Sequence, residues 1–174
     1  LGIDGVLAIP DFRSTERAFQ LLSQVAGRSG RGQKPGRVLV QTAQPEHDVL
    51  QYAAAYDYDS FYHKEVQYRR ALGYPPFSQL INLMISSPHV SALSTHINEL
   101  IPFCDTLGQR LEGDVQVIGP RRAPIEMIRN YHRWHILIKC RATCVEDVKS
   151  HIQSWPTPPR SVRQILDIDP ISVL

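Results

Sequence analysis

Apolar positions in the first part of the chain recur with a helical period between two shorter apolar runs. The run 6–9 ends at a Pro-Asp pair and the run 36–42 follows a Pro-Gly turn, so both are predicted as strands. Between them, Ser14 is the predicted N-cap of a helix. Its buried stripe comprises Ala18, Leu21, Leu22, Val25 and Ala26. Further helices are predicted from Pro45 and over 59–72. The order strand, helix, strand, helix predicts part of an α/β layer structure.

A second pattern follows the Gly-Tyr-Pro-Pro-Phe segment at 73–77, where two prolines stop helix and favour an extended connection. Strands are predicted over 79–86, 115–118, 131–140 and 162–168, and helices over 88–111 and 145–152. The order βαββαβ is that of the ferredoxin-like fold. We therefore predict a first domain over 1–73, a linker over 74–76 and a ferredoxin-like domain over 77–174.

Composition and charge narrow the class of protein without naming a partner. The chain has 174 residues, of which 43% are hydrophobic and 21% charged, which is typical of a globular protein. The net charge is only +2, so a nucleic-acid partner has to be argued from the positions of the charges. Three scattered cysteines favour a reducing intracellular compartment over a disulfide framework. The first residue is leucine, and we expect the chain to be an excerpt of a longer protein.

The segment 24–32, Gln-Val-Ala-Gly-Arg-Ser-Gly-Arg-Gly, is the most distinctive motif. Arg28 and Arg31 lie three residues apart and would share a helix face, beside the bare backbone of Gly27 and Gly30. Planar guanidinium groups bind phosphate oxygens in pairs and neutralise charge during phosphoryl transfer. The alternative is a solvated basic helix end, where arginine is favourable because of the helix dipole.

A second basic segment lies over 119–141, with six basic residues, one acid and interleaved aromatic residues. Strand alternation places Tyr131, Arg133 and His135 on one side and His132, Trp134 and Ile136 on the other. We predict that Trp134 lies in the core and that Tyr131 and Arg133 lie on the solvent-exposed face. The residues predicted to bind nucleic acid or a protein partner are Arg121, Arg122, Arg129, Tyr131, Arg133 and Lys139. An exposed, merely soluble hairpin is the alternative, and no metal site is predicted.

The first motif, Gln-x-x-Gly-Arg-x-Gly-Arg, resembles the last conserved motif of superfamily-two helicases. Around it, Pro-Asp-Phe-Arg at 10–13, Pro-Glu-His at 45–47, Gly-Tyr-Pro-Pro-Phe at 73–77 and Leu-Asp-Ile-Asp-Pro at 166–170 form an ordered set. This combination resembles the primosomal replication-restart DNA helicases, the primosomal protein N′ family. The resemblance covers nearly the whole chain.

The resemblance implies that residues 1–73 are the distal part of a RecA-like helicase lobe 2. It implies ATP binding by Gln24, Gly27, Arg28 and Arg31, with Arg28 and Arg31 catalytic. The parent would be an ATP-dependent 3′-to-5′ DNA helicase of the bacterial cytoplasm and nucleoid, using ATP and magnesium to restart stalled forks. Its partners would be forked and single-stranded DNA, the acidic tail of the single-stranded DNA-binding protein, and other primosome proteins, with no membrane.

The chain departs from the family at several points. It lacks a Gly-x-x-x-x-Gly-Lys-[Ser/Thr] loop, a magnesium-holding acidic motif and a cysteine-rich zinc module. We therefore expect this chain alone to bind no cofactor and hydrolyse no ATP, with zinc only in the remainder of the parent. A non-enzymatic nucleic-acid or protein-binding module is the alternative function.

Overall fold

A computed structural model describes residues 2–29 and 37–173. The chain divides into two compact units, Leu1–Leu72 and Gly73–Leu174. Residues 74–76, predicted as a linker, fall within the second unit. Within the two described stretches, no helix combines the length and apolar character needed to cross a bilayer. The three cysteines are buried thiols.

The first unit is built from helices in its described part. They are α1 (Asp4–Leu7), α2 (Ser14–Ser29), α3 (Asp48–Ala55) and α4 (Tyr58–Leu72). Their small core contains Ala18, Leu22 and Val49, and Phe19 stacks on Phe61 with 4.2 Å between ring centroids. Arg69 of α4 donates to Glu16 of α2 at 2.7 Å, which ties the two longer helices together.

Both strands predicted in this unit were wrong for the described residues. The run 6–9 begins inside α1, because a run of four apolar residues fits a helix as well as a strand. In the segment 37–42 only Gln41 makes a bridge, parallel to Gly2, and Leu39 is 75% exposed. A strand needs a neighbouring ladder for its backbone groups, and one bridge does not supply it. The RecA-like assignment stays a prediction.

The start of α2 also differs from the sequence prediction. Ser14 donates its hydroxyl to the carbonyls of Ile9 and Asp11, so its side chain does not act as the predicted N-cap acceptor. The carboxylate of Asp11 accepts from the backbone N–H of Arg13 at 2.9 Å and lies 3.5 Å from the guanidinium of Arg17. The turn before the helix is therefore ordered by Asp11.

The second unit has the predicted element order. It comprises β1 (Gln79–Ser87), α5 (Val90–Arg110), β2 (Val115–Ile128), β3 (Tyr131–Cys140), a 3₁₀ turn (Ala142–Cys144), α6 (Val145–Gln153) and β4 (Arg163–Ile168). The four strands form one sheet in the order β2-β3-β1-β4, with every neighbouring pair antiparallel. Element order and strand order together match the ferredoxin-like fold.

One face of this sheet packs against the helices to form the core. Alternate positions of β1 and β3 supply it, among them Ile81, Leu83, Ile136 and Ile138, all at most 1% exposed. The helices contribute Leu93, Ile97, Leu100, Cys104, Leu107, Val148 and Ile152. Residues with the opposite parity lie on the second sheet face, which carries four of the six predicted binding residues, Arg121, Tyr131, Arg133 and Lys139.

Strand β2 runs much further than predicted, past the expected stop at Gly119-Pro120. The backbone of Gly119 has φ 109°, and a Cβ there would lie 2.8 Å from the carbonyl oxygen of His135. Only glycine fits this close approach without a shift of the backbone. Register shifts on either side of Arg121 and Arg122 let the long strand stay paired with β3.

Candidate nucleic-acid interface

The arginine motif lies at the end of α2, where the described residues stop at Ser29. Gln24, Gly27 and Arg28 occupy positions i, i+3 and i+4 on this helix, and all three are exposed. Apart from the backbone of α2 itself and the two neighbouring residues, no described atom lies within 4 Å of a Cβ built on Gly27, so no other described part of the chain covers this position. Arg31, which the resemblance implies is catalytic, lies outside the described residues, and so does Gly30.

The second basic segment forms the β2–β3 hairpin. Its two-residue turn, Arg129-Asn130, has φ 49° and 68°, the signs of a type I′ turn. This turn matches the right-handed twist of the flanking strands, and it leaves Arg129 exposed at the tip. Ile125, Met127 and Ile128 near the tip are also 43–54% exposed.

Arg121 and His135 lie in the middle of the sheet face that also carries Tyr131, Arg133 and Lys139. They are register partners on β2 and β3, and Nε of Arg121 donates to Nε2 of His135 at 3.0 Å. His135 is fully buried, although strand alternation places it on the same sheet face as Tyr131 and Arg133. Burial, followed by the charges of Arg121 and Arg133, lowers the pKa of His135 to about 4. The ring is therefore neutral at physiological pH.

Lys139 lies four residues further along β3 on the same face, but it is only 8% exposed. Its ammonium lies 3.7 Å from the centroid of the Tyr74 ring, within cation–π range. Burial, followed by repulsion from Arg121, lowers the pKa of Lys139. Lys139 therefore adds positive potential to this face but offers little surface for direct contact with a ligand.

The other predicted binding residues are on or near the surface. Arg122 is exposed and pairs with Glu126 at 2.8 Å, and Arg133 donates to the carbonyl of Ile125 at 3.2 Å. Trp134 is partly buried against the core, as predicted. The structure brings Arg121, Arg133 and Lys139 onto one sheet face, whereas Arg122 and Arg129 lie along the outer part of the hairpin.

Sequence reasoning missed Arg163 of β4. The guanidinium carbon of Arg163 lies 4.7 Å from the centroid of the Tyr131 ring, although the residues are 32 positions apart in the chain. Alternation along β4 could have placed Arg163 on one face of its strand. Only the strand order β2-β3-β1-β4 places that face beside Tyr131.

The histidines and cysteines do not gather into a metal site in the described stretches, where no cluster of three His, Cys, Asp or Glu side chains has metal-binding geometry. His132 and His135 have opposite parity on β3 and so lie on opposite sheet faces.

Comparison with known proteins identifies the family. The family described as "Primosomal protein N C-terminal domain" matches residues 70–171. "Replication restart protein PriA" of Bacillus subtilis (strain 168) is 38% identical over 139 residues, which are 80% of this chain and 17% of the relative. The proteins of the same name from Synechocystis sp. and Haemophilus influenzae are 34% and 31% identical, and each alignment covers 98% of this chain. Those alignments cover 20% and 23% of the two relatives, so the chain spans about a fifth of their length.

The family match covers the ferredoxin-like unit, and the alignments with the relatives extend over nearly the whole chain. The chain therefore belongs to the family of replication restart proteins PriA and carries that family's C-terminal domain.

Proposed function

We propose that this chain is the C-terminal portion of an ATP-dependent 3′-to-5′ DNA helicase that recognises branched DNA at stalled forks and reloads the replication machinery. Membership of the replication restart family supports this function. The gathering of Arg121, Arg133 and Lys139 on one sheet face around the neutral His135 carries the DNA-binding part of the proposal. Three cations in one area attract phosphates and release counterions when DNA binds.

In this proposal the two units have different tasks. Arg28 and Arg31 of the first unit face the nucleotide from the second motor lobe. The second unit holds DNA or an acidic protein tail. Exposed Gln24, Gly27 and Arg28 leave the end of α2 accessible to a triphosphate. ATP and magnesium would be held mainly by other parts of the parent, so the chain alone hydrolyses no ATP.

DNA binding by the chain tests the role of the hairpin. We expect salt-sensitive binding of labelled single-stranded and forked DNA by fluorescence anisotropy. The variants Arg129→Ala and Arg133→Ala should each reduce the slope of log affinity against log salt concentration by about one. Arg110→Ala, at the end of α5, is the matched control because Arg110 is exposed but belongs to the helix layer. An absence of binding at low salt would contradict the DNA-binding role.

The nucleotide role is tested in the full-length parent. Arg28→Ala and Arg31→Ala should each lower the DNA-stimulated ATPase rate at least a hundredfold, since the loss of one charge-stabilising donor has an effect of that order. DNA affinity should change little. An unchanged ATPase rate in both variants would contradict the catalytic role of the two arginines and favour a non-enzymatic binding module.

The protein partners proposed for this unit are the acidic tail of the single-stranded DNA-binding protein and other primosome proteins. An acidic tail suits the same face, because guanidinium groups pair with carboxylates as readily as with phosphates.

A further inference from the structure

A row of three residues crosses the sheet near the tip end of the hairpin. Arg133 on β3 is the register partner of Ser86 on β1, and Ser86 is the register partner of Arg163 on β4. Neighbouring strands are about 4.8 Å apart, so the two arginines start about 10 Å apart with a small serine between them. The row therefore has an arginine at each end and a small side chain in the middle.

Tyr131 gives this row an aromatic component. Its half-buried ring lies under the guanidinium of Arg163, with 4.7 Å between the guanidinium carbon and the ring centroid. An arginine held over a ring has already lost much of its side-chain freedom, and its planar group has a second face. Arg163 itself is exposed, so that second face is accessible from solvent.

The charges around the row favour an anionic ligand. Arg129 is two residues from Tyr131, at the exposed hairpin tip. The acid with the same parity on β4 is Asp167, four residues and therefore about 13 Å from Arg163 along the strand. Glu126, on the hairpin, is already paired with Arg122.

We propose that Arg163, held over Tyr131, is a stacking platform for an unpaired base, with Arg133 binding the adjacent phosphate. The site would therefore select single-stranded over duplex nucleic acid. An unpaired base exposes a face that can stack on guanidinium or aromatic planes, whereas a base inside a duplex is already stacked on its neighbours. This inference rests on the DNA-binding part of the proposed function and assigns residues and a strand preference to it.

The test separates stacking from charge. Arg163→Lys keeps the positive charge and removes the plane, and Tyr131→Leu keeps an apolar side chain and removes the ring. The probes are a labelled oligothymidylate of about 12 nucleotides, within the site-size range of small single-strand-binding folds, an abasic strand of equal length, and a blunt duplex. Arg160→Lys is the matched control, since Arg160 is exposed three residues before Arg163.

We expect Arg163→Lys and Tyr131→Leu each to weaken oligothymidylate binding about tenfold, the effect typical of one lost stacking contact. The salt slope should stay unchanged for Arg163→Lys, because no charge is lost. Binding of the abasic strand and the duplex should change less than twofold. The control should match the wild type with every probe, and circular dichroism should show every variant folded.

Other outcomes overturn the inference in distinguishable ways. Equal weakening for all three DNA probes would show a phosphate contact without stacking. Unchanged binding in both variants would show that the Arg163–Tyr131 contact is only structural. Weakened binding of a labelled hexa-aspartate peptide, with oligothymidylate unaffected, would assign the row to an acidic protein partner. If the wild-type chain bound no DNA at all, the DNA-binding part of the proposed function would fail, and this inference with it.

Discussion

Arg121 donates a hydrogen bond from Nε to Nε2 of the buried His135 at 3.0 Å. Accepting this bond requires the neutral ring to carry its proton on Nδ1, which lies buried without a hydrogen-bond partner in the described part of the chain. A second proton on this ring would replace the acceptor by a charge facing a guanidinium. The arrangement therefore keeps His135 neutral.

This contact predicts a loss of stability in mild acid. The pKa of His135 is about 4 in the folded chain, against 6.5 for an ordinary histidine. Between these values the unfolded chain binds the proton and the folded chain does not, so stability falls as pH drops from about 6.5 to about 4. The loss should be on the order of 2 to 3 kcal/mol.

Urea unfolding at pH 7.5 and 4.5 checks this expectation in wild type and His135→Gln. Glutamine offers Arg121 an acceptor without a titrating ring, so the variant should lose less stability between the two pH values. His89→Gln, at an exposed histidine, should keep the wild-type dependence. Equal pH dependence in all three proteins would contradict the role given to His135.

Gly119 is expected to tolerate no side chain. Gly119→Ala should lower the free energy of unfolding by about 2 to 4 kcal/mol, because the new Cβ would meet the carbonyl of His135 and φ is positive. Gly108→Ala is the paired control: nothing lies within 4 Å of its Cβ position inside α5, and alanine there should add about 0.5 to 1 kcal/mol. Changes of the same sign in both variants would contradict this explanation.

We expect Arg69 to stabilise the first unit and to take no part in ligand binding. Its side chain is 12% exposed, pairs with Glu16 and Glu65, and lies 5.4 Å from the centroid of the Phe12 ring. Burial opposes the charged form, but the two carboxylates outweigh it and raise the pKa of Arg69. Arg69→Met should cost about 1 to 3 kcal/mol, since hydrogen bonds to charged groups are lost.

Chemical unfolding of the chain measures this cost. Arg28→Met serves as the control, because Arg28 is exposed at a helix end, and it should change stability by less than about 1 kcal/mol. If Arg69→Met were as stable as the control, the pairs with Glu16 and Glu65 would have no net effect.

The amino-acid sequence determined the ferredoxin-like unit because its signals are local. The apolar-rich runs over 79–86 and 131–140 and the helical stripe from Ile97 to Leu107 each specify an element without reference to the rest of the chain. The order βαββαβ then allows few topologies, and the observed strand order is the one expected for it. The core position of Trp134 followed from strand parity alone.

The tertiary structure decided what depends on residues far apart in the chain. Short apolar runs at 6–9 and 37–42 did not become strands, because a strand is stabilised by a neighbour that local sequence does not reveal. The close approach at Gly119 and the Arg163–Tyr131 contact arise from strand pairing, and the burial of His135 and Lys139 is a property of the folded unit. Parity gives the face of a residue, but burial and pKa depend on what packs above that face.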